Sequence, residues 1–223
     1  MENKEIFEKA LMKKACYHKD SELLKNIADE FSVRHDVILS VFEFYQDKEE
    51  IEWEREDCQN LFFEKIPEGI MLWFELYEFP LSEEEFFSFL GLVSDVFLPV
   101  LPLGSCVRLK GDAAEAMGFQ DGEAPEVVIV DRYTAIPEAG IYFPYSGAPY
   151  PLGTFGTERK IHFGPQLIEE VLYTGFVDEK EDAFLALMKE EYILERGLHS
   201  MAFANKEEEG ILRGLTEKAG KTD

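Results

Sequence analysis

A chain of 223 residues that is 46% apolar and 13% aromatic has the material for one large core or two modest ones, which excludes an intrinsically disordered protein. Its 46 acidic against 22 basic residues give a formal charge of -24, which repels a phosphate backbone and an anionic membrane surface alike and favours basic or polar partners. Acidity of this size also serves plain solubility, and composition leaves both readings open.

Cys16, Cys58 and Cys106 are far apart and lack the close Cys or His spacing of a zinc site, so they read as reduced thiols of a cytoplasmic protein. Met1 is followed by Glu2, Asn3 and Lys4, which predicts no cleaved leader. The apolar run from Phe86 to Leu101 is interrupted by Asp95 and Pro99 and falls short of the roughly 20 residues a spanning helix needs, so no membrane insertion is expected.

In chain order, Asn3 to Tyr17 repeats Ile6, Phe7, Ala10 and Leu11 at helical spacing. Ser21 opens a second helix with Leu24, Ile27 and Phe31, and Ser32 is placed to cap a third with Val37, Ile38, Val41, Phe42 and Tyr45. Residues 27–42 also have the spacing of a helix-turn-helix, which would offer Arg34, His35 and Ser40 to bases. Asp36, Glu43 and the acidity of the whole chain oppose that reading; a plain helical hairpin has the same core spacing, and no nucleic-acid partner is expected. Residues 46–56 read as a solvated connection or an edge strand through Ile51 and Trp53. Residues 51–100 carry twelve acidic and two basic side chains, which concentrates negative charge on one part of the chain, as wet surface or as an interaction face.

Gly69 to Phe79 has strand character, with Ile70, Leu72, Phe74 and Leu76 on one face and Met71, Trp73 and Tyr77 on the other. Ser82 and Glu85 then form a capping box for a helix carrying Phe86, Phe87, Phe89, Leu90, Val93 and Phe97. Apolar residues nearly encircle it, which predicts a helix sandwiched in a core or turned toward a partner. The stretch Leu101 to Lys110, LPLGSCVRLK, is the strand around which the second half is organised: Pro102 and Gly104 suit a tight entry, and Ser105, Val107 and Leu109 alternate with Cys106, Arg108 and Lys110. A loop over 111–125 leads to a strand at Glu126 to Tyr133 whose four consecutive apolar residues predict burial on both faces.

Tyr142, Tyr145 and Tyr150 among Pro144, Pro149 and Pro151 describe aromatic strand ends joined by rigid turns, and Lys160 to Phe163 is a further short strand. Gly164-Pro165 is read as opening a helix through Leu167, Ile168, Val171 and Leu172. Asp178 and Glu181 cap another, bearing Phe184, Leu185, Met188, Tyr192 and Ile193, which Gly197 terminates. From Leu198 the pattern weakens toward a flexible tail.

Taken together, LPLGSCVRLKG at 101–111, EVVIVDR at 126–132, YFPYSGAPYPLG at 142–153, IHF at 161–163 and LIEEVLYTGFVDEKE at 167–181 resemble the bacterial domain of unknown function family numbered 4176, over about residues 98–182. The loop at 112–125 is longer than that family's usual link between its first two strands. Members are typically encoded beside type VII secretion toxins that carry an N-terminal LXG domain. The resemblance therefore implies a cytoplasmic accessory protein, a chaperone or targeting factor for such a toxin, and as the alternative an immunity protein that neutralises the toxin domain. It carries over no catalytic residue.

Chemistry is sparse. His162 lies on a short strand and could meet Glu169 or Glu170 as a base, but a single His between Ile161 and Phe163 is more often packed or hydrogen-bonded. His18, His35 and His199 share no metal spacing, and Gly153 to Gly156 lacks the lysine and helix of a phosphate loop. No turnover, cofactor or metal is expected. The expected fold is α+β: N-terminal helices packed against a mainly antiparallel sheet with C-terminal helices. Residues 1–97 form a helical portion with one or two strands, 98–197 an α+β domain and 198–223 the tail. Partner contact with the N-terminal region of an LXG toxin is assigned to Trp73, Tyr77, Tyr142, Tyr145 and Tyr150.

Overall fold

The computed structural model describes residues 1–17, 21–111, 125–154 and 160–219. The helix break placed at 18–20 with His18, nearly all of the loop at 111–125, and Gly156 lie outside the described residues. The chain is α+β and divides into two compact units, Met1–Pro99 and Val100–Asp223. No helix among the described residues is long and apolar enough to cross a membrane.

In the first unit, α1 (Asn3–Lys13), α2 (Ser21–Val33) and α3 (His35–Gln46) each bury one stripe at three-and-four spacing, such as Leu24, Ile27, Ala28 and Phe31 on α2. Ser32 does not cap α3. It lies inside α2, where its hydroxyl donates to the Asp29 carbonyl at 2.7 Å, and Arg34 takes the N-cap position instead. A serine in the last turn of a helix finds an acceptor in its own helix first. Arg34 donates to Asp57 Oδ2 at 2.6 Å, and Ser40 accepts the Trp53 indole N–H at 2.9 Å, so two of the three residues weighed for base contact are engaged within the unit.

β1 (Glu52–Trp53), β2 (Leu61–Ile66), β3 (Gly69–Phe74) and β4 (Tyr77–Leu81) form an antiparallel sheet in chain order. The single strand expected over 69–79 is in fact a hairpin. Glu75 adopts φ 54°, Phe74 pairs with Tyr77, and Leu76 stands exposed in the turn instead of sharing a face with Ile70, Leu72 and Phe74. Neither Glu75 nor Leu76 is a turn residue by composition, so nothing in the sequence marked the reversal.

α4 (Glu83–Phe97) has the expected cap: Ser82 Oγ accepts the Glu85 N–H at 3.2 Å while the Glu85 carboxylate accepts the Ser82 N–H at 3.0 Å. The helix packs on α1, α2 and α3 and on β3 and β4, which makes it the core helix of this unit. Phe89 meets the rings of Phe7 and Tyr17 edge-on, and Phe86 meets Phe63.

The second unit opens with a tight turn. Gly104 has φ 81°, Ser105 N–H donates to the Pro102 carbonyl at 3.2 Å, and β5 (Cys106–Leu109) follows with Val107 and Leu109 buried as the alternation predicts. β5 lies between β6 (Glu126–Ile136) and β9 (Ile168–Tyr173). On the far side of β6 is β7 (Ile141–Pro149), whose outer edge takes β8 (Ile161–Phe163) and, in parallel, β10 (His199–Ser200). All other pairs are antiparallel. Val107, Leu109, Val127, Ile129, Tyr145 and Phe163 make the central core.

Three expectations are corrected here. β6 is buried on one face, not two: Val127 and Ile129 point inward, Val130 is exposed, and the pairing with β7 shifts register between Ile129 and Asp131. The helix expected from Pro165 is only a one-turn 3-10 segment, Pro165–Leu167, followed by β9, because the free side of β5 offers backbone partners to the Ile-Glu-Glu-Val-Leu-Tyr run. The tail expected from 198 contains β10, the 3-10 turn Met201–Phe203 and α6 (Lys206–Ala219). Leu212 of α6 packs against the buried cluster of Ala139, Ile141 and Ala204.

Before that tail, α5 (Glu179–Lys189) starts at Asp178, whose carboxylate accepts the Lys180 N–H at 3.0 Å, and runs into a π-helical turn, Glu190–Glu195. Gly197, at φ 65°, lets the chain reverse there. α5 and the π turn lay Leu185, Met188 and Tyr192 on Tyr133, Tyr142 and Leu198.

Candidate functional site

β9 is the end strand of its sheet among the described residues, and its C-terminal half is apolar and uncovered. Val171 lies opposite Val107 and Tyr173 opposite Cys106, with Leu172 the extra residue at a bulge. All three are exposed, Tyr173 to 65%, and after Thr174-Gly175 come Phe176 at 81% and Val177, also exposed.

The backbone beneath this strip is firmly held. Gly175 N–H donates to Ser105 Oγ at 3.0 Å, and Ser105 Oγ donates to the Pro102 carbonyl at 2.8 Å. A Cβ on Gly175 would fall 2.1 Å from the Leu103 carbonyl oxygen, so only glycine lets the chain lie this close to the 102–105 turn. Phe176 is thus projected outward from a fixed point, and the strip is preformed.

Carboxylates flank it. Between positions 169 and 182 there are six acidic residues and one lysine. Glu170 is paired with Arg108, which also reaches Glu126 at 3.0 Å, while Glu169, Glu179 and Asp182 are exposed. The carboxylates around Arg108, Glu126 first, raise its already high pKa.

The aromatic residues assigned to partner contact are divided between the two units. Trp73 and Tyr77 sit on the β3–β4 hairpin of the first unit. Tyr77 is exposed; Trp73 is half-buried, with its indole N–H shielded and without a hydrogen-bond partner. Tyr142 and Tyr145 are core residues, which corrects their placement on a surface. Tyr142 stacks on Tyr133 with centroids 5.5 Å apart, and Tyr145 packs on Phe163 while its hydroxyl accepts the Leu101 N–H at 2.9 Å. Burial pushes the Tyr145 phenol up to about 12. Both are buried although they stand three positions apart on β7 with Pro144 between them, an offset that plain alternation does not place on one face. Tyr150 is exposed beside the cis bond to Pro151, at the rim of a shallow apolar depression of ≈ 360 Å³ against Val128 and Val130.

His162 does not meet Glu169 or Glu170. Its Nδ1 lies 2.7 Å from Ser146 Oγ, which lies 2.7 Å from Thr134 Oγ1. Ser146 is 0% exposed, so this serine–histidine contact gives a nucleophile no access to a substrate and serves the fold. Burial, then Lys160, lowers the imidazole below its ordinary value, which favours a neutral ring whose Nδ1 accepts from Ser146. A depressed value adds stability that is present above the ordinary histidine range and lost as pH falls through the folded one. His162 should therefore titrate by NMR with a midpoint below about 6.5, and the acid-side slope of thermal stability should shrink in His162→Gln. An unchanged slope would remove His162 from that role. Among the described residues no group of three or more His, Cys, Asp or Glu is placed to hold a metal ion.

The surface at β9 escaped the sequence reading because Val171 and Leu172 were assigned to a helix face. The usable signal was the adjacency of Val171-Leu172-Tyr173 to Phe176-Val177, more apolar surface than one helix stripe would hide.

The chain is thus an α+β protein of two units whose second unit, a mainly antiparallel sheet, presents a preformed apolar edge between carboxylates. Residues 100–184 match the model of the family described as Domain of unknown function (DUF4176). The match runs from the entry to β5 into α5 and so includes all of β9 and Phe176. No curated protein and no solved structure matches the chain.

Proposed function

We propose that this chain is a cytoplasmic accessory protein, a chaperone or targeting factor that binds an LXG-type toxin effector for type VII secretion and performs no turnover of its own. The toxin context is what the resemblance over residues 98–182 implies, and the observation that carries a binding role is the uncovered apolar strip Val171–Val177. A contiguous apolar strip held rigid at a sheet edge is a surface for protein contact. The surrounding carboxylates would speed encounter with a basic partner and reject acidic ones.

The test is coexpression with an LXG toxin divided into its N-terminal targeting half and its C-terminal toxic half, followed by capture on the tagged chain. Capture of the N-terminal half, weakening as salt is raised, is the expected outcome. Capture of the C-terminal half alone, with protection from its toxicity, would replace this role by immunity, and capture of neither half would end the toxin-binding reading.

A further inference from the structure

We propose that β9 is a strand-addition edge: an extended segment of a partner protein, apolar at alternate positions and flanked by lysine or arginine, pairs with Val171–Tyr173 as an outer strand of the second sheet. The identity of the partner rests on the toxin-binding reading above; the pairing mode rests on the edge itself.

Among the described residues the other sheet ends are guarded. β1 has two residues, and β4 turns Glu78 and Pro80 outward, one a charge and the other a residue without an N–H to offer. β8 and β10 are three and two residues long. β9 has six residues and no proline, and only its first half is protected, by Glu169 and Glu170. In its second half the outward backbone groups belong to a Val-Leu-Tyr run, and the Gly175 anchor holds that run in extended form. A strand already extended and immobilised costs little ordering to pair, and backbone hydrogen bonds then supply affinity while side chains supply selection.

Charge selects the occupant. Glu169 stands before the apolar run, and Asp178, Glu179 and Asp182 stand after it, all exposed. An antiparallel second copy would lay the same carboxylates against these, with a charge of -24 on each chain. A segment with basic residues at both ends of an apolar stretch meets the opposite sign at each end.

The probe is a synthetic peptide of alternating valine and threonine flanked by lysines, with a glutamate-flanked twin, added to the full chain and followed by amide hydrogen exchange. The lysine-flanked peptide should slow exchange at Val171–Tyr173 about tenfold at tenfold excess over its dissociation constant, and the twin should not. Val171→Lys combined with Tyr173→Lys, which places gatekeeper charges on the edge without altering its backbone, should abolish the protection. Equal protection by both peptides, protection by neither, or concentration-dependent protection of the chain alone, which would mean self-pairing, overturns the proposal. The toxin half provides the separation from the earlier reading. Binding of that half with β9 amides exchanging as in the free chain removes strand addition and leaves the binding role. Peptide protection without capture of either half removes the toxin and leaves the edge.

Discussion

Phe89→Ala is expected to destabilise the first unit by about 4 kcal/mol, the largest single effect in the molecule. Phe89 is buried in the middle of α4, its ring centroid 6.3 Å from those of both Phe7 and Tyr17. Truncation removes the transfer free energy of a whole ring and leaves a cavity between α4 and the N-terminal helices, which collapses only in part because Phe7 is also held by Phe97 at 5.4 Å. A unit of this size should lose about 20 °C in midpoint temperature. Calorimetry of the full chain checks this, together with hydrogen exchange that speeds up across residues 1–99 while the second unit keeps its protection. Phe89→Leu keeps most of the volume and should lose less than half as much. A small loss for the alanine variant would mean that α4 is not the core helix of this unit.

Arg132→Ala is expected to cost the second unit about 3 kcal/mol, and Glu181→Ala a similar amount. Arg132 of β6 and Glu181 of α5 form an ion pair in which the side chains are 5% and 17% exposed. The guanidinium also lies 5.0 Å from the Phe184 ring centroid and donates to the Leu101 carbonyl at 3.4 Å. Taking away either partner leaves the other charge out of water and unpaired, which is worse than having neither. Arg132→Met combined with Glu181→Leu should therefore recover most of the loss, and a double-mutant cycle read by urea denaturation checks it. Additive single losses, with no recovery in the pair, would show that the two residues act separately. Because this pair seats the first turn of α5, the single variants should also displace Asp178 and Glu179 and weaken capture of a basic partner more than the double variant does.

Glu181 illustrates how far sequence reasoning reached. The spacing of Asp178 and Glu181 predicts a shared acidic cap. Asp178 does cap α5, but Glu181 turns to Arg132, 49 positions away in the chain. A local rule identifies a group that can cap, whereas a distant buried guanidinium competes for the same carboxylate and exerts the stronger pull. Ser82 and Glu85 had no such competitor, and that capping box formed as read. Tyr142 and Tyr145 show the same limit in the candidate site. Their type suits recognition, but the segments packed around β7 bury both, Tyr142 in the cluster with Tyr133 and Leu198 and Tyr145 in the central core, and a spacing of three does not disclose that in advance.

The chain by itself determined the α+β class, the three N-terminal helices, α4 with its cap, the inward alternation of β5 and the family resemblance over residues 100–184. Each of these depends on near neighbours in sequence, on a period, a cap or a contiguous motif. The tertiary structure alone decided that 168–173 is a strand, that 69–81 folds back as a hairpin, that α6 packs on the cluster of Ala139, Ile141 and Ala204 in its own unit, and that an apolar edge is left open beside β5. Those outcomes depend on which backbone groups and apolar faces a distant segment has left unsatisfied. Val171-Leu172 suits a helix or a strand equally well until the free edge of β5 supplies the hydrogen bonds that settle the choice.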